Sequence, residues 1–344
     1  MLTLEIISPQ TFDEYAKIHE LNTMFQTSNW AKVKSNWTPY YIGVLNNNEL
    51  IGASLILVRN IILGLKFAYL PKGPLINFSD DTKKFFFKNL IKFLRSKRII
   101  YAKIEPNLIL GKLKQENKDK LNNLNSTYKK FNLPSKYIRY KGKGMRLSDT
   151  ITPRVQMHFP LNENIDSIIP KKILKRINKC KKNDIVVKTE CNATSLIEMI
   201  KYTEKRHNIH LRNATYFRSI LDNYKDDSCV LSAYQNDILL SSCILVKSKD
   251  ICEILYSGYN DKYRKSDSTY LLRYKAIEWA KEKGCSIFNF GGVDGNLNDG
   301  LYMFKSCFNP DIALYLGEVD LLIYPVISYC ISLFSPLLKK IIKF

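Results

Sequence analysis

The polar residues of this chain offer the chemistry of anion binding and charge stabilisation. Arg212 and Tyr216 lie four residues apart in LRNATYF, so on a helix they would share one face. The arginine offers a planar fork for a phosphate or carboxylate, and the tyrosine offers a ring and a hydroxyl. Lys305 follows a glycine-rich polar stretch, GGVDGNLNDG, that we expect to be a loop at the end of a strand. Its ammonium either points into a cleft or belongs to a surface lysine at the start of a helix.

Patterns typical of covalent or metal-dependent catalysis are missing. The chain has no G-x-S-x-G motif, and no cysteine has an obvious histidine partner. The eight cysteines show no C-x-x-C spacing, and of the four histidines only His207 and His210 lie close together. We therefore expect no metal site, and reduced core thiols typical of a cytosolic protein. The N-terminus, MLTLEIISPQTFDEY, lacks the basic and apolar regions of a signal peptide.

The elements that must position these residues form an internal repeat. GVLNNNELIGASLILVRN, starting at Gly43, and SAYQNDILLSSCILVKSK, starting at Ser232, each read as a β-hairpin with an Asn/Asp turn. A further strand, an amphipathic helix and a closing strand follow in both halves. This order predicts an α/β (α+β) fold of two tandem acetyltransferase-like domains with a cleft between them.

Neither half contains the glycine-rich turn with which such domains normally hold acyl-coenzyme A. The equivalent positions read NFSDDTKKF and YRKSDSTYL. Without glycines, the backbone cannot approach a pyrophosphate closely. We therefore expect no coenzyme and a different acyl donor.

The charge of the chain narrows the choice of partner. With 53 Lys and Arg against 32 Asp and Glu, the formal net charge is +21. Such an excess favours a polyanionic partner, either nucleic acid or an anionic membrane surface. The alternative is that a composition rich in Lys, Asn and Ile reflects an A+T-rich genome, which explains the preference for Lys over Arg better than the shortage of acids. The length of 344 residues is that of about two domains.

A basic helix is predicted over residues 165–183. Ile173, Ile177 and Cys180 form its apolar stripe, and most other positions of the helix proper are Lys or Arg. An ordinary amphipathic helix with a solvated face is one interpretation. Because nearly all its charges have one sign and repel one another, contact with a phosphate backbone is favoured. The residues expected to make this contact are Lys172, Lys175, Arg176 and Lys179.

The C-terminus predicts an amphipathic helix. Residues 321–338 carry no charge and are just long enough for a membrane span, but Pro325 and Pro336 interrupt them. A polar stripe at spacings of three and four favours an amphipathic helix over a span. Such a helix either lies on an anionic membrane surface or packs on a domain, and the two can share it. The stripe consists of Ser328, Ser332, Ser335, Lys339 and Lys343.

Motifs along nearly the whole chain resemble the FemABX peptidyltransferases. The resemblance lies in their order and spacing, since each is weak alone. The motifs are FQTSNWAKVK, YLPKGP, KKILKRINKCKKNDIVV, YSGYNDKYR, a helix ending AKEKG, the strand FNFGG, and LYMFKSCF followed by LGEVD.

The resemblance implies an enzyme that transfers an amino acid from aminoacyl-tRNA to the stem peptide of a peptidoglycan precursor, either lipid II or its UDP-linked form. It implies no coenzyme, a tRNA partner bound by the basic helix, and a cytoplasmic protein peripherally associated with the inner face of the membrane. Residues 165–195 offer only one helix and so resemble the family members without a two-helix arm.

Residue-by-residue comparison with the family implies roles for individual side chains. Phe304 and Lys305 match its catalytic Phe-Lys pair, and a cation aimed at the ester carbonyl in a dry cleft lowers the barrier by roughly 3 kcal/mol. Glu105, at the end of the strand in KIEP, is a candidate proton acceptor, with a structural role as the alternative. The implied precursor contacts are Lys34, Arg212, Tyr216 and Tyr256, the tyrosines having plain packing as the alternative.

We predict a first domain of residues 1–148 and a second of residues 149–316, with residues 317–344 available to pack on the first. Two other functions remain open. One is an acetyltransferase-like enzyme with a small activated donor and no tRNA, which a phosphate-cradling loop would have favoured. The other is a non-catalytic nucleic-acid binder, which aromatic residues on the basic helix would have favoured.

Overall fold

The computed structural model describes residues 1–60, 64–78, 81–125, 138–140, 151–295, 297–321, 323–324 and 326. Within them the chain has an α/β architecture built on two mixed sheets. The predicted fold class is confirmed. The predicted C-terminal amphipathic helix falls almost entirely outside the described residues.

The first half of the chain begins with one strand and two short helices and continues with the first copy of the repeat. Ser8 and Thr27 cap the two short helices by accepting hydrogen bonds from backbone N–H groups. The elements are β1 (Leu2–Ile6), α1 (Pro9–Ile18), α2 (Ser28–Val33), β2 (Thr38–Asn46), β3 (Glu49–Asn60), β4 (Lys66–Leu70), α3 (Asp81–Ser96) and β5 (Ile99–Ile104).

The second half carries the second copy, preceded by the basic helix (Lys171–Lys182) and two helices that face the first half. Asn213 and Asp299 cap α8 and α10. The elements are β6 (Ile109–Leu113), α4 (Leu121–Asn125), β7 (Ile138–Tyr140), β8 (Val155–Pro160), α5 (Ile165–Ile168), α6 (Lys171–Lys182), β9 (Val186–Glu190), α7 (Thr194–His207), α8 (Ala214–Tyr224), β10 (Ser228–Gln235), β11 (Ile238–Ser248), β12 (Ile251–Tyr259), α9 (Ser268–Glu282), β13 (Ile287–Val293), α10 (Gly300–Ser306), β14 (Asp311–Tyr315) and β15 (Val319–Leu321).

The internal repeat has the same topology in both halves. β2, β3 and β4 are antiparallel neighbours, and β4 pairs in parallel with β5 through the crossover helix α3. β10, β11, β12, α9 and β13 repeat this arrangement. Both hairpins turn through two residues with positive φ, Asn47–Asn48 and Asn236–Asp237, as the Asn/Asp signal predicted.

The two sheets exchange strands. The first has the order β1-β2-β3-β4-β5-β15-β7, and the second has the order β6-β14-β8-β13-β12-β11-β10-β9. β15, from the end of the described chain, therefore completes the first sheet. β6, which follows β5 directly, lies in the second. Because β7 returns to the first sheet and β8 to the second, the described strands pass between the two sheets four times.

The two copies differ at the parallel strand pair. In the first copy, all five residues of β4 pair with β5. In the second copy, the pairing of β12 with β13 ends at Glu253 and Asn289, although β12 continues to Tyr259 and β13 to Val293. We call the unpaired region beyond Glu253 and Asn289 the strand gap. It lies in the second half alone.

A shared apolar core joins the halves. One cluster of buried residues contains Phe12 and Leu55 from the first half together with Phe217, Ile220 and Val246 from the second. The Tyr224 hydroxyl lies 2.7 Å from the Met24 carbonyl oxygen, to which it donates, and 3.0 Å from Thr27 Oγ1. Two further clusters lie within the separate halves.

The last described residues are held against the first half. Arg95 of α3 donates two hydrogen bonds, of 3.1 and 2.7 Å, to the Ile323 carbonyl oxygen. Its guanidinium also lies 5.5 Å from the ring centre of Tyr324. None of the described helices has the length and apolarity needed to cross a membrane.

Candidate active site

Four residues predicted as precursor contacts form one cluster between the halves. The Lys34 ammonium lies 5.4 Å from the ring centre of Tyr216, and the Arg212 guanidinium lies 5.3 Å from the same centre. The Tyr216 and Tyr256 rings meet edge to face at 6.1 Å. We call this the Lys34–Tyr256 cluster. It combines two cations with two phenol rings, a set suited to an anionic ligand that also has an apolar part.

The reason given above for grouping Arg212 with Tyr216 was wrong. Arg212 is not helical, because α8 begins at Ala214 after the Asn213 cap. The Arg212 guanidinium nevertheless contacts the Tyr216 ring, so the two side chains meet without sharing a helix.

Burial sets the charge state of Lys34. Lys34 ends α2, and its ammonium also lies 5.0 Å from the ring centre of Trp30. Burial and, to a lesser extent, the neighbouring Arg212 lower its pKa to about 7. No ion pair with Lys34 occurs in the described parts of the chain. A bound anion would therefore favour its protonated form.

Lys305 is a buried lysine beside β13, at the strand gap. It is 5% exposed, and its Nζ donates a 2.8 Å hydrogen bond to the Gly292 carbonyl of β13. A Cβ atom at Gly291 would lie 3.6 Å from both Lys305 Nζ and the Ile254 carbonyl oxygen of β12. Lys305 thus lies close to both strands. It is not a surface lysine.

A second buried cation, Arg273 of α9, lies beside β12, the other strand that borders the strand gap. Its Nη2 donates a 2.7 Å hydrogen bond to Ser257 Oγ of β12. Its Nε and Nη1 are buried without a nitrogen or oxygen partner among the described residues, and the Cys243 thiol is the side chain that interacts with the guanidinium there. Burial, followed by Arg273, lowers the pKa of Lys305 to about 7, and Asp299 opposes the shift. Neither cation forms an ion pair with a carboxylate of the described residues, so positive charge is concentrated around Lys305 and Arg273.

Phe304 packs beside these cations. Its ring meets the Tyr270 ring at 5.2 Å and the Phe308 ring at 5.9 Å, and the Arg273 guanidinium lies 5.8 Å from its centre. The side chain is half-buried. It forms an apolar wall of the site next to Lys305.

Glu105 lies at the domain junction in a crowded polar environment. Its Oε1 pairs with Lys72 Nζ at 2.6 Å, and its Oε2 accepts from the Tyr69 hydroxyl and, at 3.2 Å, from Thr152 Oγ1. It is 3% exposed. Its role as proton acceptor stays a prediction, and these contacts favour the structural alternative.

The basic helix α6 has the predicted amphipathic form, but it begins only at Lys171, because the chain leaves the helical conformation at Ile169 and Pro170 after the short helix α5. Ile173, Ile177 and Cys180 are buried, and Lys172, Lys175 and Lys179 are exposed. Arg176 is engaged with the protein itself, since it lies 3.4 Å from Asp267 and 4.6 Å from the ring centre of Tyr270. Between this helix and β9 there is no second long helix, so residues 165–195, all of which are described, form no two-helix arm.

No group of three or more His, Cys, Asp or Glu side chains in the described ranges is arranged to hold a metal ion. Cys180, Cys229, Cys243, Cys252 and Cys285 are buried and free. Burial raises the pKa of Cys243 to about 11, so its thiol is neutral at pH 7.

Sequence reasoning missed two charged residues of the central region, Arg273 and Glu253. Each has a signal in the sequence. Arg273 follows Leu271 and Leu272 in an apolar part of α9, and Glu253 interrupts the apolar run ICEIL of β12. A charge at a position that should be buried indicates a ligand or a partner.

The duplicated topology and the strand gap define a tandem acetyltransferase-like protein. The sequence model of the FemAB family matches residues 7–236 and 229–335. The chain therefore belongs to the FemAB family, which confirms the resemblance described above.

Two relatives align over nearly the whole chain. A UDP-N-acetylmuramoylpentapeptide-lysine N(6)-alanyltransferase of Weissella viridescens is 25% identical over 341 residues, covering 94% of this chain and 97% of the relative. A lipid II:glycine glycyltransferase of Staphylococcus haemolyticus is 20% identical over 422 residues, covering 97% and 96%. Both relatives are named as aminoacyl transferases that act on peptidoglycan precursors.

Solved structures support the fold. The crystal structure of FemX superposes with a TM-score of 0.77 at 18% identity, covering 97% of this chain and 100% of that one. A tandem GNAT protein from the clavulanic acid biosynthesis pathway gives a TM-score of 0.56 at 9% identity, covering 94% and 99%. The predicted tandem acetyltransferase-like fold is thereby confirmed.

Proposed function

We propose that this protein transfers an amino acid from aminoacyl-tRNA to an amine of a peptidoglycan precursor, building the interpeptide bridge. The observation that carries the proposal is Lys305, a buried cation without an ion pair in the described residues, at an open strand pair present in one half only. Family membership and the names of the two relatives support the aminoacyl group and the class of acceptor.

The reaction joins an acceptor amine to an activated ester. The amine nitrogen attacks the ester carbonyl carbon, and the carbonyl oxygen becomes an oxyanion. When the tetrahedral intermediate collapses, the bond to the ribose oxygen breaks and that oxygen takes a proton. In our proposal, the Lys305 ammonium stabilises the oxyanion, and Phe304 orients the donor end beside it.

The acceptor is assigned to the Lys34–Tyr256 cluster. Two cations next to two tyrosine rings suit a precursor that carries phosphate or carboxylate groups beside apolar parts. Because Tyr256 lies on β12, one of the two strands that border the gap, a precursor held there can extend its amine towards Lys305.

The donor RNA is assigned to the exposed face of α6. Lys172, Lys175 and Lys179 project from one helix into solvent, as expected for phosphate contacts. Arg176 is assigned to the same surface, although it is held by Asp267 and Tyr270.

We further propose a peripheral place at the cytoplasmic face of the membrane, through the predicted C-terminal helix. Removal of residues 327–344 should reduce binding to anionic vesicles. If the removed segment instead packs on the first half, the truncated protein will lose thermal stability, and the intact protein will not bind vesicles. Resistance of the bound intact protein to high-salt and carbonate extraction would indicate a span.

The transfer itself is tested by incubating purified protein with a mixture of charged tRNAs and an acceptor. Lipid II and its UDP-linked form are supplied as acceptors in two parallel reactions. We expect the mass of one acceptor to rise by one or more aminoacyl residues. Lys305→Ala provides the matched control, and prior treatment with ribonuclease should abolish transfer. An unchanged acceptor mass with every charged tRNA would refute the proposal.

A further inference from the structure

A carboxylate lies at the point where the strand gap begins. Glu253 is the last residue of β12 that pairs with β13. No hydrogen bond or ion pair holds its carboxylate within the described parts of the chain. The side chain keeps some exposed surface, although it lies in an inner strand of an eight-stranded sheet. A buried charge without a partner is costly, and such groups are concentrated at functional sites.

Glu253 faces the junction between the halves. Its pairing partner on β11 is Val246, which belongs to the core shared by both halves. The next residue on β12, Ile254, packs instead into the core of the second half. Because side chains alternate along a strand, Glu253 points towards the first half.

A row of buried polar side chains continues from Glu253 across the sheet. Asn289 is its partner on β13 and donates a 2.6 Å hydrogen bond to Gln156. His158 Nε2, on β8, lies 3.2 Å from the Tyr315 hydroxyl. Lys72 of the first half lies 4.4 Å from the centre of the Tyr315 ring. The polar row therefore spans from the strand gap to the Lys72–Glu105 pair.

The strand that carries Glu253 also borders both proposed substrate positions. Glu253 precedes Ile254, whose carbonyl oxygen and Lys305 Nζ each lie 3.6 Å from where a Gly291 Cβ would be. It precedes Tyr256 of the acceptor cluster by three residues, roughly 10 Å along an extended strand. Along β12, Glu253 therefore lies next to the residue whose backbone borders Lys305 and three residues before the tyrosine assigned to the acceptor.

We propose that Glu253 is the catalytic residue that removes the proton from the acceptor ammonium. This inference rests on the proposed function. The Glu253 carboxylate takes one proton from the ammonium, which frees the nitrogen lone pair for attack on the ester carbonyl. After attack, the nitrogen loses a second proton to the departing ribose oxygen as the carbon–oxygen bond breaks. The protonated Glu253 then releases its proton to solvent, so each turnover yields an amide, an alcohol and one proton.

Glu253 suits this role better than Glu105. The oxygens of Glu105 already accept from Lys72, Tyr69 and Thr152, whereas those of Glu253 have no such partner in the described chain. Burial raises the pKa of Glu253 to about 7, with Glu105 adding to the shift and Lys72 opposing it. A base with a pKa near the working pH is effective because it both accepts and releases protons. The titratable groups whose charges couple to it are Lys72, Glu105, Tyr224, Tyr315 and Cys252.

The test compares the pH dependence of kcat for the wild type, Glu253→Gln and Glu253→Asp, using the acceptor and charged tRNA that the wild type uses. The wild type should lose turnover below a midpoint of about 7. Glu253→Gln should lower kcat by about 10²–10⁴-fold and remove this midpoint, because the amide cannot accept the proton. Glu253→Asp should keep a midpoint with reduced kcat, and the KM for the precursor should change little in both.

Two further variants separate catalysis from stability. Glu282→Gln removes an exposed carboxylate and should leave kcat and its pH profile unchanged. Glu105→Gln should lower the melting temperature without removing the midpoint. Circular dichroism establishes that the Glu253 variants are folded, and Glu253→Asp supplies the test if the glutamine variant is not.

The outcomes distinguish this inference from the proposed function. If the wild type transfers an amino acid and Glu253→Gln retains both its kcat and the acidic midpoint, only the role of Glu253 is wrong. A shift of the wild-type midpoint in Glu253→Asp, without its loss, supports the role. If the wild type transfers no amino acid, both the proposed function and the role of Glu253 are refuted.

Discussion

At the scale of single residues, the candidate site uses charges that are poorly solvated. Lys34 and Lys305 both have a pKa lowered to about 7, in each case mainly by burial and then by an arginine. A desolvated cation interacts strongly with an anion that enters its site. Substrate binding and protonation of these lysines should therefore be coupled.

Replacing Lys305 and replacing Arg212 should change different kinetic constants. Lys305→Ala should lower kcat by roughly 10²–10³-fold with little change in precursor affinity, because an oxyanion contact acts mainly in the transition state. Arg212→Ala should raise the KM for the precursor with a smaller effect on kcat, because a phosphate or carboxylate contact holds substrate and transition state alike. Steady-state kinetics of both variants on one acceptor measures this. Near-normal kcat of Lys305→Ala at saturating precursor would assign the oxyanion to backbone N–H groups or to the substrates.

The charge of Lys305 should set an alkaline limit on activity. Since its lowered pKa is about 7, the free enzyme carries the ammonium below this pH and loses it above. We expect kcat/KM to fall as pH rises through about 7. Arg273→Gln should move this limit to higher pH, because Arg273 is the second cause of the shift after burial. An alkaline limit at the same pH in both proteins would show that it belongs to another group.

At the scale of elements, α6 has one face that packs in the core and another that is free to bind a ligand. Its apolar stripe packs in the core of the second half, while all six of its lysines are exposed. Repulsion among so many like charges destabilises this helix in the free protein. A polyanionic ligand would relieve this repulsion.

The salt dependence of tRNA binding tests the exposed face of α6. Replacing Lys172, Lys175 and Lys179 together by Gln should weaken binding and reduce the slope of log Kd against log salt concentration by about 2–3, because three phosphate contacts no longer release counterions. The matched control replaces the exposed lysines Lys88, Lys92 and Lys120, which lie elsewhere. Equal slopes for the wild type and the α6 variant, measured by filter binding, would remove this helix from the tRNA site.

At the scale of the whole molecule, the halves are integrated by exchanged strands and a common core. β15 lies inside the first sheet between β5 and β7, β6 lies in the second, and Phe217 packs among residues of both halves. Such sharing couples the stability of one half to that of the other.

A core truncation at the junction should therefore destabilise the entire protein. Phe217 is 1% exposed, so Phe217→Ala should lower the free energy of unfolding by about 3–5 kcal/mol. Urea unfolding should keep a single transition, seen alike by circular dichroism and tryptophan fluorescence. The exposed neighbour Arg218, replaced by Ala, should change stability by less than about 0.5 kcal/mol. Separate transitions for the two halves would contradict this coupling.

The whole fold should also lack affinity for acyl-coenzyme A. Both segments at which a pyrophosphate would bind have no glycine, and β4 and β5 remain paired along the whole of β4 in the first half. We expect no saturable heat of binding for coenzyme A or acetyl-coenzyme A by calorimetry. Tight binding would instead support the acyltransferase without tRNA that the sequence left open.

Local sequence determined the elements and their buried faces. The Asn/Asp turns between alternating runs specified both hairpins, and the spacing of Ile173, Ile177 and Cys180 specified which side of α6 is buried. These signals are reliable because hydrophobic periodicity and turn conformation depend on residues only a few positions apart.

Only the tertiary structure decided which distant residues meet. Arg212 reaches Tyr216 without a shared helix, the strand gap opens in one copy of the repeat alone, and Glu253 faces Lys72 and Glu105 from the opposite half. Neither strand pairing nor its interruption is encoded by local periodicity, because both depend on contacts between segments far apart in the chain. The sequence therefore determined the two modules, and their packing against each other determined where the charged groups converge.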